Sequence, residues 1–180
     1  MNIMNIGLIR HFKVNCDRTL FMTSDEFEAW VKKYDEDEII KNKIDIGHIK
    51  WNKCFSSDLY RAVKTAESIF TEKIVKTYLL REVPISPIFK SNVKLPYIFW
   101  DISGRCAWFF EHKSQKESRK DTEKRIDEFL SNIDLDSNEN ILIVCHGFLM
   151  NTLQKKLKNR GFKGKTVKRP KNGTLYLYTK

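Results

Sequence analysis

The chain has 180 residues, of which 41% are hydrophobic and 31% are charged. This length and balance predict one compact domain over residues 1–180 and exclude an intrinsically disordered chain. The apolar runs are far shorter than the roughly 18–20 residues of a bilayer-spanning helix, so we expect no membrane span. The first residues lack the basic segment and cleavage site of a secretory signal, so export is not expected.

The net charge of +10 is concentrated at one end of the sequence. Residues 151–180 contain ten lysines and arginines and no acidic residue, whereas residues 1–150 carry 23 charges of each sign. A basic segment of this kind suits an anionic partner such as phosphate, nucleic acid or an acidic membrane. It is also typical of a solvated surface that maintains solubility, so charge alone assigns no function.

The four cysteines indicate a reducing environment. They are widely spaced, no pair has the CxxC pattern, and no zinc-ribbon spacing occurs (Cys16, Cys54, Cys106 and Cys145). A chain of this length buries a core without disulfides, so we expect free thiols and a cytoplasmic location.

In the first half of the chain, short apolar runs alternate with helical patterns. The continuous run at residues 6–9 predicts a buried strand of a parallel sheet. Ser24 is the predicted cap of a helix with Phe27 on its inner face. Residues 51–55 and 77–80 are weaker strand candidates, separated by a predicted helix over residues 59–70.

Residues 83–110 interrupt this alternation. They hold three of the four prolines and many aromatic side chains, and charged residues break them too often for a core strand or a membrane helix. We interpret residues 83–115 as an insertion or lid that packs over one end of the sheet and the active site. A hydrophobic surface for an oligomer partner or a membrane contact is the alternative.

The alternation resumes after the insertion. Residues 118–130 predict a charged helix, Ile141–Cys145 predicts a second buried strand, and residues 148–157 predict a helix that ends near Gly161. The alternation of polar and apolar residues over 174–178 indicates an edge strand. Together these elements predict a three-layer α/β/α sandwich with a mostly parallel central sheet.

Reactive side chains directly follow four of the predicted strands. They are Arg10 and His11, then Ser56 and Ser57 with Arg61 one helical turn later, then Glu82, and finally His146 with Gly147. Ligands of open α/β sheets bind beyond the carboxyl ends of the strands. We therefore expect these groups to meet in one pocket.

The contents of this pocket favour phosphate chemistry. Arg10 and Arg61 supply planar, forked donors for a phosphoryl group, and the following helices offer N-terminal amides. A neutral imidazole can attack phosphorus and form a phosphohistidine. Glu82 can protonate the departing oxygen and then activate water.

Two other kinds of site use similar residues. His11, His146 and Glu82 could hold zinc, but the two arginines would repel the cation and no HExxH motif is present. Cys145 is not the expected nucleophile, because no arginine closes the loop after it and it ends a buried strand. His48 and His112 lack a motif and are expected at the surface.

These motifs resemble the histidine phosphatase superfamily, also called phosphoglycerate mutase-like proteins. The matching blocks are Leu8-Ile9-Arg10-His11, the stretch from Ser56 to Glu67, Leu80-Arg81-Glu82 and Val144-Cys145-His146-Gly147. The resemblance implies that His11 is phosphorylated, that Arg10, Arg61 and His146 bind the phosphoryl group, and that Glu82 is the proton donor. It also implies that no metal or other cofactor is needed.

The sequence departs from the family pattern in two places. Phe12 replaces the usual glycine after the nucleophile, which we expect to alter the floor or mouth of the pocket. Residues 83–87 replace a glycine-bearing stretch that commonly follows the acid, so Glu117 is an alternative acid. Glu117 also has the position of a helix-capping residue.

Three functions are compatible with these motifs. The first is a metal-independent phosphatase that hydrolyses a phosphomonoester, on a small metabolite or a phosphoprotein, through phosphorylated His11. The second is a phosphomutase that uses the same intermediate. The third is a non-catalytic protein that binds a phosphorylated ligand or nucleic acid, with a contribution from basic residues 155–171; nucleic acid is the less favoured partner, and an oligomer is compatible with the sequence.

Overall fold

A computed structural model describes residues 4–135 and 139–180 of the chain. The strands of the described residues are β1 (Asn5–Arg10), β2 (Lys13–Val14), β3 (Phe21–Met22), β4 (Ile39–Ile40), β5 (Lys53–Ser57), β6 (Ile74–Thr77), β7 (Leu95–Pro96), β8 (Ile141–Cys145), β9 (Lys163–Gly164) and β10 (Leu175–Thr179). The α-helices are α1 (Ser24–Glu36), α2 (Tyr60–Glu67), α3 (Tyr97–Phe109), α4 (Arg119–Ser131) and α5 (Leu149–Asn159).

A six-stranded sheet forms the centre of the fold, in the order β6-β5-β8-β1-β10-β9. The first four of these strands are parallel, and β10 pairs antiparallel with β1. Both continuous apolar runs form buried central strands, as predicted from their composition. The edge-strand prediction for residues 174–178 is wrong, because β9 lies outside β10 and takes the edge.

The strand predicted at residues 77–80 is also wrong. The parallel register pairs Ile74–Thr77 with the residues of β5, so β6 ends where that prediction begins. The hydroxyl of Thr77 then accepts a hydrogen bond from the amide of Leu79 and starts a 3₁₀ turn over Tyr78–Leu80.

Apolar side chains cover both faces of the sheet, which defines the three-layer α/β/α sandwich. On one face Ile143 of β8 belongs to a cluster with Phe129 of α4 and Leu153 of α5. On the other face Leu142 of β8 packs with Ala62 of α2. A cleft opens at the carboxyl ends of the parallel strands.

Helix boundaries follow local capping chemistry. Thr23, rather than the predicted Ser24, caps α1 through a reciprocal capping box with Glu26. Ser118 caps α4 in the same manner. Gly161 follows α5 in the left-handed region, with φ of 91°, as a C-terminal glycine does.

Residues 83–115 contain a helix that the sequence pattern does not reveal. Helix α3 is held by buried Trp100, whose indole N–H donates to the carbonyl of Met22 at 2.8 Å. Its outer side is apolar as well, since Ile98, Ile102 and Phe109 are each at least half exposed. Their exposure defines an apolar face on α3 in the single chain.

None of the helices in residues 4–135 and 139–180 is both long enough and apolar enough to cross a bilayer. The four cysteines are free thiols, and Cys54 and Cys145 are buried. Burial raises the pKa of the Cys54 thiol to about 12 and that of the Cys145 thiol further still.

Candidate active site

Two histidines lie side by side at the carboxyl edge of the sheet. Arg10 and Cys145 are partners in the parallel register of β1 and β8, so His11 and His146 leave adjacent strands at the same level. Their ring centroids are 5.0 Å apart, and 2% or less of either side chain is exposed. Strand β5 ends at Ser57 on the other side of β8, and α2 then carries Arg61 into this position.

A large cleft opens over this edge, with a volume of about 1570 Å³. Arg10, His11, Arg61 and Glu82 all line it, so four of the five predicted site side chains are brought to one place. His146 does not line the cleft, because it lies fully buried behind Arg61.

The hydrogen bond of His11 determines which of its nitrogens carries the proton. Nδ1 lies 2.6 Å from the carbonyl oxygen of Phe12, and a carbonyl only accepts, so Nδ1 is the donor. Burial lowers the pKa of His11 well below 6.5, and the charges of Arg61 and Arg10 lower it further. The ring is therefore neutral at neutral pH, with its lone pair on Nε2.

Both nitrogens of His146 are bound by side chains. Arg61 donates from Nε to Nδ1 at 3.2 Å, which assigns the proton to Nε2, and this N–H donates to the hydroxyl of Ser57 at 2.8 Å. Burial lowers the pKa of His146, and the charge of Arg61 contributes next. His146 is thus a neutral, fixed ring that holds the Arg61 guanidinium.

Arg61 is also fixed from the opposite side by α1. Its Nη1 donates to Oδ1 of Asp35 at 2.6 Å, and its guanidinium carbon lies 5.1 Å from the centre of the Tyr34 ring. No sequence motif pointed to Asp35 or Tyr34, since both are ordinary residues of an amphipathic helix. Their role depends on a contact between elements 26 residues apart.

Arg10 is held close to the backbone of the β8–α5 turn. Its Nη1 donates to the carbonyl of Pro170 at 2.9 Å, while its buried Nε has no hydrogen-bond partner among the described residues. A Cβ on Gly147 would lie 2.9 Å from that Nε. Glycine at 147 therefore permits the approach of Arg10, and the unpaired Nε is a donor available for an anion.

Glu82 occupies the N-terminus of α5. Its carboxylate accepts from the amides of Phe148 at 3.1 Å, Leu149 at 2.9 Å and Val83 at 3.0 Å. Two of the N-terminal amides that we expected to be available to phosphate, those of Phe148 and Leu149, are therefore occupied by a carboxylate of the chain itself. The same bonds fix Glu82 at the wall of the cleft.

Glu117 also lines the cleft, but in an ion pair. Its carboxylate accepts from Arg125 at 2.8 Å and from the hydroxyl of Thr122. Ser118 caps the helix, so the capping interpretation of Glu117 is wrong. Arg125 also donates to the carbonyls of Leu79 and Arg81, so this pair supports the segment that leads to Glu82.

Phe12 does not line the cleft, which corrects the expected effect on the pocket floor or mouth. Its amide donates to the hydroxyl of Thr65 at 2.9 Å, and its ring is buried beneath Gly173.

His48 and His112 are exposed, as expected. Within the described ranges, no group of three or more His, Cys, Asp or Glu side chains is placed to hold a metal ion.

The sequence profile of the histidine phosphatase superfamily (branch 1) matches residues 43–177. The chain belongs to this superfamily. The matched range includes Arg61, Glu82 and His146, whereas Arg10 and His11 precede it and join the site through the pairing of β1 with β8. No curated protein sequence matches the chain.

Solved structures share the fold. A phosphoglycerate mutase from Bacillus anthracis has a TM-score of 0.62 and 19% identity, covering 99% of this chain and 88% of that one. A putative alpha-ribazole-5'-P phosphatase from Escherichia coli has a TM-score of 0.56 and 17% identity, with coverage of 97% and 89%. A mycobacterial glucosyl-3-phosphoglycerate phosphatase has a TM-score of 0.54 and 18% identity, with coverage of 86% and 79%. At these identities the likeness establishes the fold.

Proposed function

We propose that the protein is a phosphatase that hydrolyses phosphomonoesters through a phosphohistidine on His11. The observation that carries this proposal is the fixed tautomer of His11. A neutral ring with its proton on Nδ1 presents the Nε2 lone pair for attack, beside two guanidinium groups. Such an arrangement suits an in-line displacement on a phosphoryl group.

The reaction has two steps. First, His11 Nε2 forms a bond to phosphorus, the ester P–O bond breaks, and Glu82, which has taken a proton from solvent before the step, gives it to the departing oxygen. Second, Glu82 takes a proton from water, the water oxygen bonds to phosphorus, and the P–N bond breaks. Inorganic phosphate leaves and His11 returns to its neutral form.

The cations of the site stabilise the transferred group in both steps. Arg10 and Arg61 are oriented in advance by protein contacts, so they contribute without reorganisation when the charge shifts. His146 supports Arg61 through Nδ1. The residue types are sufficient for this chemistry without a metal ion or other cofactor.

Two further proposals concern the setting of the reaction. We propose that residues 83–115 form one wall of the site, since Tyr97, Asp101 and Arg105 of α3 line the cleft. Free thiols at all four cysteines favour a reducing compartment such as the cytoplasm.

The test is hydrolysis of p-nitrophenyl phosphate in the presence of EDTA by the parent, His11→Asn and His48→Asn. We expect activity in the parent and in His48→Asn, an exposed control, and none in His11→Asn. Rapid acid-free quenching should recover acid-labile phosphate on the peptide that contains His11. Activity that survives His11→Asn, or that EDTA abolishes, would contradict the mechanism.

The same assay separates a phosphatase from a phosphomutase. A mutase would release little free phosphate and would need a bisphosphorylated primer to return the phosphoryl group to product. Binding without turnover of aryl, sugar and peptide phosphates would indicate the non-catalytic alternative.

A further inference from the structure

The wall of the cleft is strongly basic. Among the described residues that line it, lysine and arginine number eleven, and aspartate and glutamate number five. Four of the arginines are bound by carboxylates, in the pairs Arg61–Asp35, Arg81–Asp58, Arg105–Asp101 and Arg125–Glu117. The other seven lining cations form no ion pair with a carboxylate in the described part of the chain, and Lys13, Lys168 and Arg169 are among them.

The loop that carries Lys168 and Arg169 is hydrogen-bonded to Arg10 and His11 at the end of β1. Arg10 donates to the carbonyl of Pro170 at 2.9 Å, and the amide of Gly173 donates to the carbonyl of Arg10 at 2.8 Å. Asn172 donates from Nδ2 to the carbonyl of His11 at 2.7 Å. The loop therefore has a defined position beside the site.

Phe12 supports this loop from below. A Cβ at Gly173, where φ is +60°, would lie 3.1 Å from the Phe12 ring, so the turn rests directly on that side chain. Lys13 follows Phe12 in the sequence and also lines the cleft. Lys168 and Arg169 precede Pro170, which accepts from Arg10, and Lys13 follows the ring on which this loop packs, so all three leave backbone that lies near the end of β1.

These cations exceed what one phosphoryl group requires. Arg10 and Arg61 suffice for the transferred group, whereas Lys13, Lys168 and Arg169 are further unpaired cations on the wall of the cleft, to which a second anion would be attracted. The cleft volume of about 1570 Å³ is also larger than the roughly 300–1,000 Å³ of common small-ligand sites. There is space for a substrate that extends from His11 to these cations.

We propose that Lys13, Lys168 and Arg169 form a second anion site, and that the substrates are phosphomonoesters carrying a second anionic group. This inference rests on the proposed phosphatase function. The first anion is the phosphoryl group that His11 receives; the second is a phosphate or carboxylate that stays on the product and orients the ester. The basic C-terminal segment then acts, in part, as a specificity element.

The experiment uses a homologous series of synthetic esters. Alkanediol monophosphates are compared with ω-phosphooxyalkanoates and alkanediol bisphosphates of two to six carbons, together with p-nitrophenyl phosphate. The measured quantity is kcat/KM for release of free phosphate, divided by two for the symmetric bisphosphates. The carboxylate and bisphosphate arms show which second anion the site takes.

We expect kcat/KM to be about tenfold higher for a doubly anionic ester than for its monophosphate at the best chain length, as two partly exposed charge pairs allow. In Lys168→Ala/Arg169→Ala this ratio should fall to near one. The matched control, Lys155→Ala/Lys165→Ala, removes two exposed C-terminal lysines that do not line the cleft, and should keep the ratio.

Two outcomes overturn the inference, and they differ from failure of the proposed function. A ratio near one at every chain length in the parent, with p-nitrophenyl phosphate still hydrolysed, would remove the second site alone. A preference for doubly anionic esters that both double variants lose equally would also remove the second site, because such a loss would reflect the overall charge of the protein. No hydrolysis of any ester would instead remove the phosphatase proposal.

Discussion

The carboxyl ends of β1 and β8 lie next to each other, and each is followed by a buried, neutral histidine. Their surroundings differ. His11 uses one nitrogen on a backbone carbonyl and lines the cleft, whereas His146 uses both nitrogens on side chains and lies behind Arg61. Two equivalent positions in the sheet thus give one imidazole free to form a bond and one that holds a guanidinium. The difference arises from the partners, not from the strands.

Removal of each ring tests the difference between the two histidines most directly. We expect His11→Asn to lower kcat/KM for p-nitrophenyl phosphate by at least about 10⁴-fold, because the bond-forming atom is lost. His146→Asn should lower it by roughly 10²–10³-fold, as loss of one fixed stabilising group does. Quenched-flow trapping should detect phosphoenzyme in His146→Asn only. Equal losses, with no phosphoenzyme in either variant, would show that the two rings act as one unit.

The next test concerns Glu82, the proposed proton donor. Glu82→Gln should lower kcat/KM for an alkyl phosphate by about 10²–10³-fold, because an alkoxide needs a proton to depart. For p-nitrophenyl phosphate the loss in the phosphorylation step should be far smaller, since nitrophenolate leaves unprotonated. Equal losses with both leaving groups would mean that Glu82 acts only as the cap of α5. Thermal unfolding of the variant measures that capping contribution separately.

A third test uses the pH dependence of protein stability that the two neutral rings cause. The folded state holds the pKa of both histidines below 6.5, so under acidic conditions the unfolded chain binds protons that the folded chain does not. The free energy of unfolding should therefore be intact above about pH 6.5 and fall below it, by up to about 1.4 kcal/mol per pH unit for each ring. Urea unfolding at several pH values should show that the free energy of unfolding depends less steeply on pH in His11→Gln than in the parent. The exposed control His48→Gln should have the same pH dependence as the parent. A parent pH dependence no steeper than that of His11→Gln would contradict the prediction.

The smallest expected effect comes from the carboxylate on the other side of Arg61. Asp35 places a negative charge on Arg61, the proposed phosphoryl ligand, so Asp35→Asn should lower the inhibition constant of inorganic phosphate by roughly threefold to tenfold. Glu36→Gln, an exposed neighbour on α1, is the control. Weaker inhibition by phosphate in Asp35→Asn would show instead that Asp35 serves to orient Arg61.

The central sheet and the strand-end residues could be predicted because their signals are local. The runs around Leu8 and Ile143 are apolar on both faces, as central parallel strands are, and the residue after each run lies at the sheet edge. Helix α3 could not be predicted in this way. Its outer side carries Ile98 and Ile102 while Trp100 is buried, so the polar face that normally marks a surface helix is missing.

The support of the site could not be predicted either, because it depends on contacts between distant parts of the chain. Asp35 reaches Arg61 from another helix, and Pro170 accepts from Arg10 across 160 residues. Phe12 breaks the family pattern, and only the packing shows that its ring turns away from the cleft and under Gly173. Residue type and spacing carry no information on such contacts.

The pairing of β10 with β1 has a consequence for how a newly made chain becomes active. His11 follows the first strand of the central sheet, whereas the loop at 170–173 that binds the carbonyls of Arg10 and His11 directly precedes β10. Strand β1 therefore cannot complete these contacts until residues 170–179 have been synthesised. Contacts of such sequence separation form slowly, so a nascent chain that stops short of β10 should leave Arg10 and His11 without a fixed position.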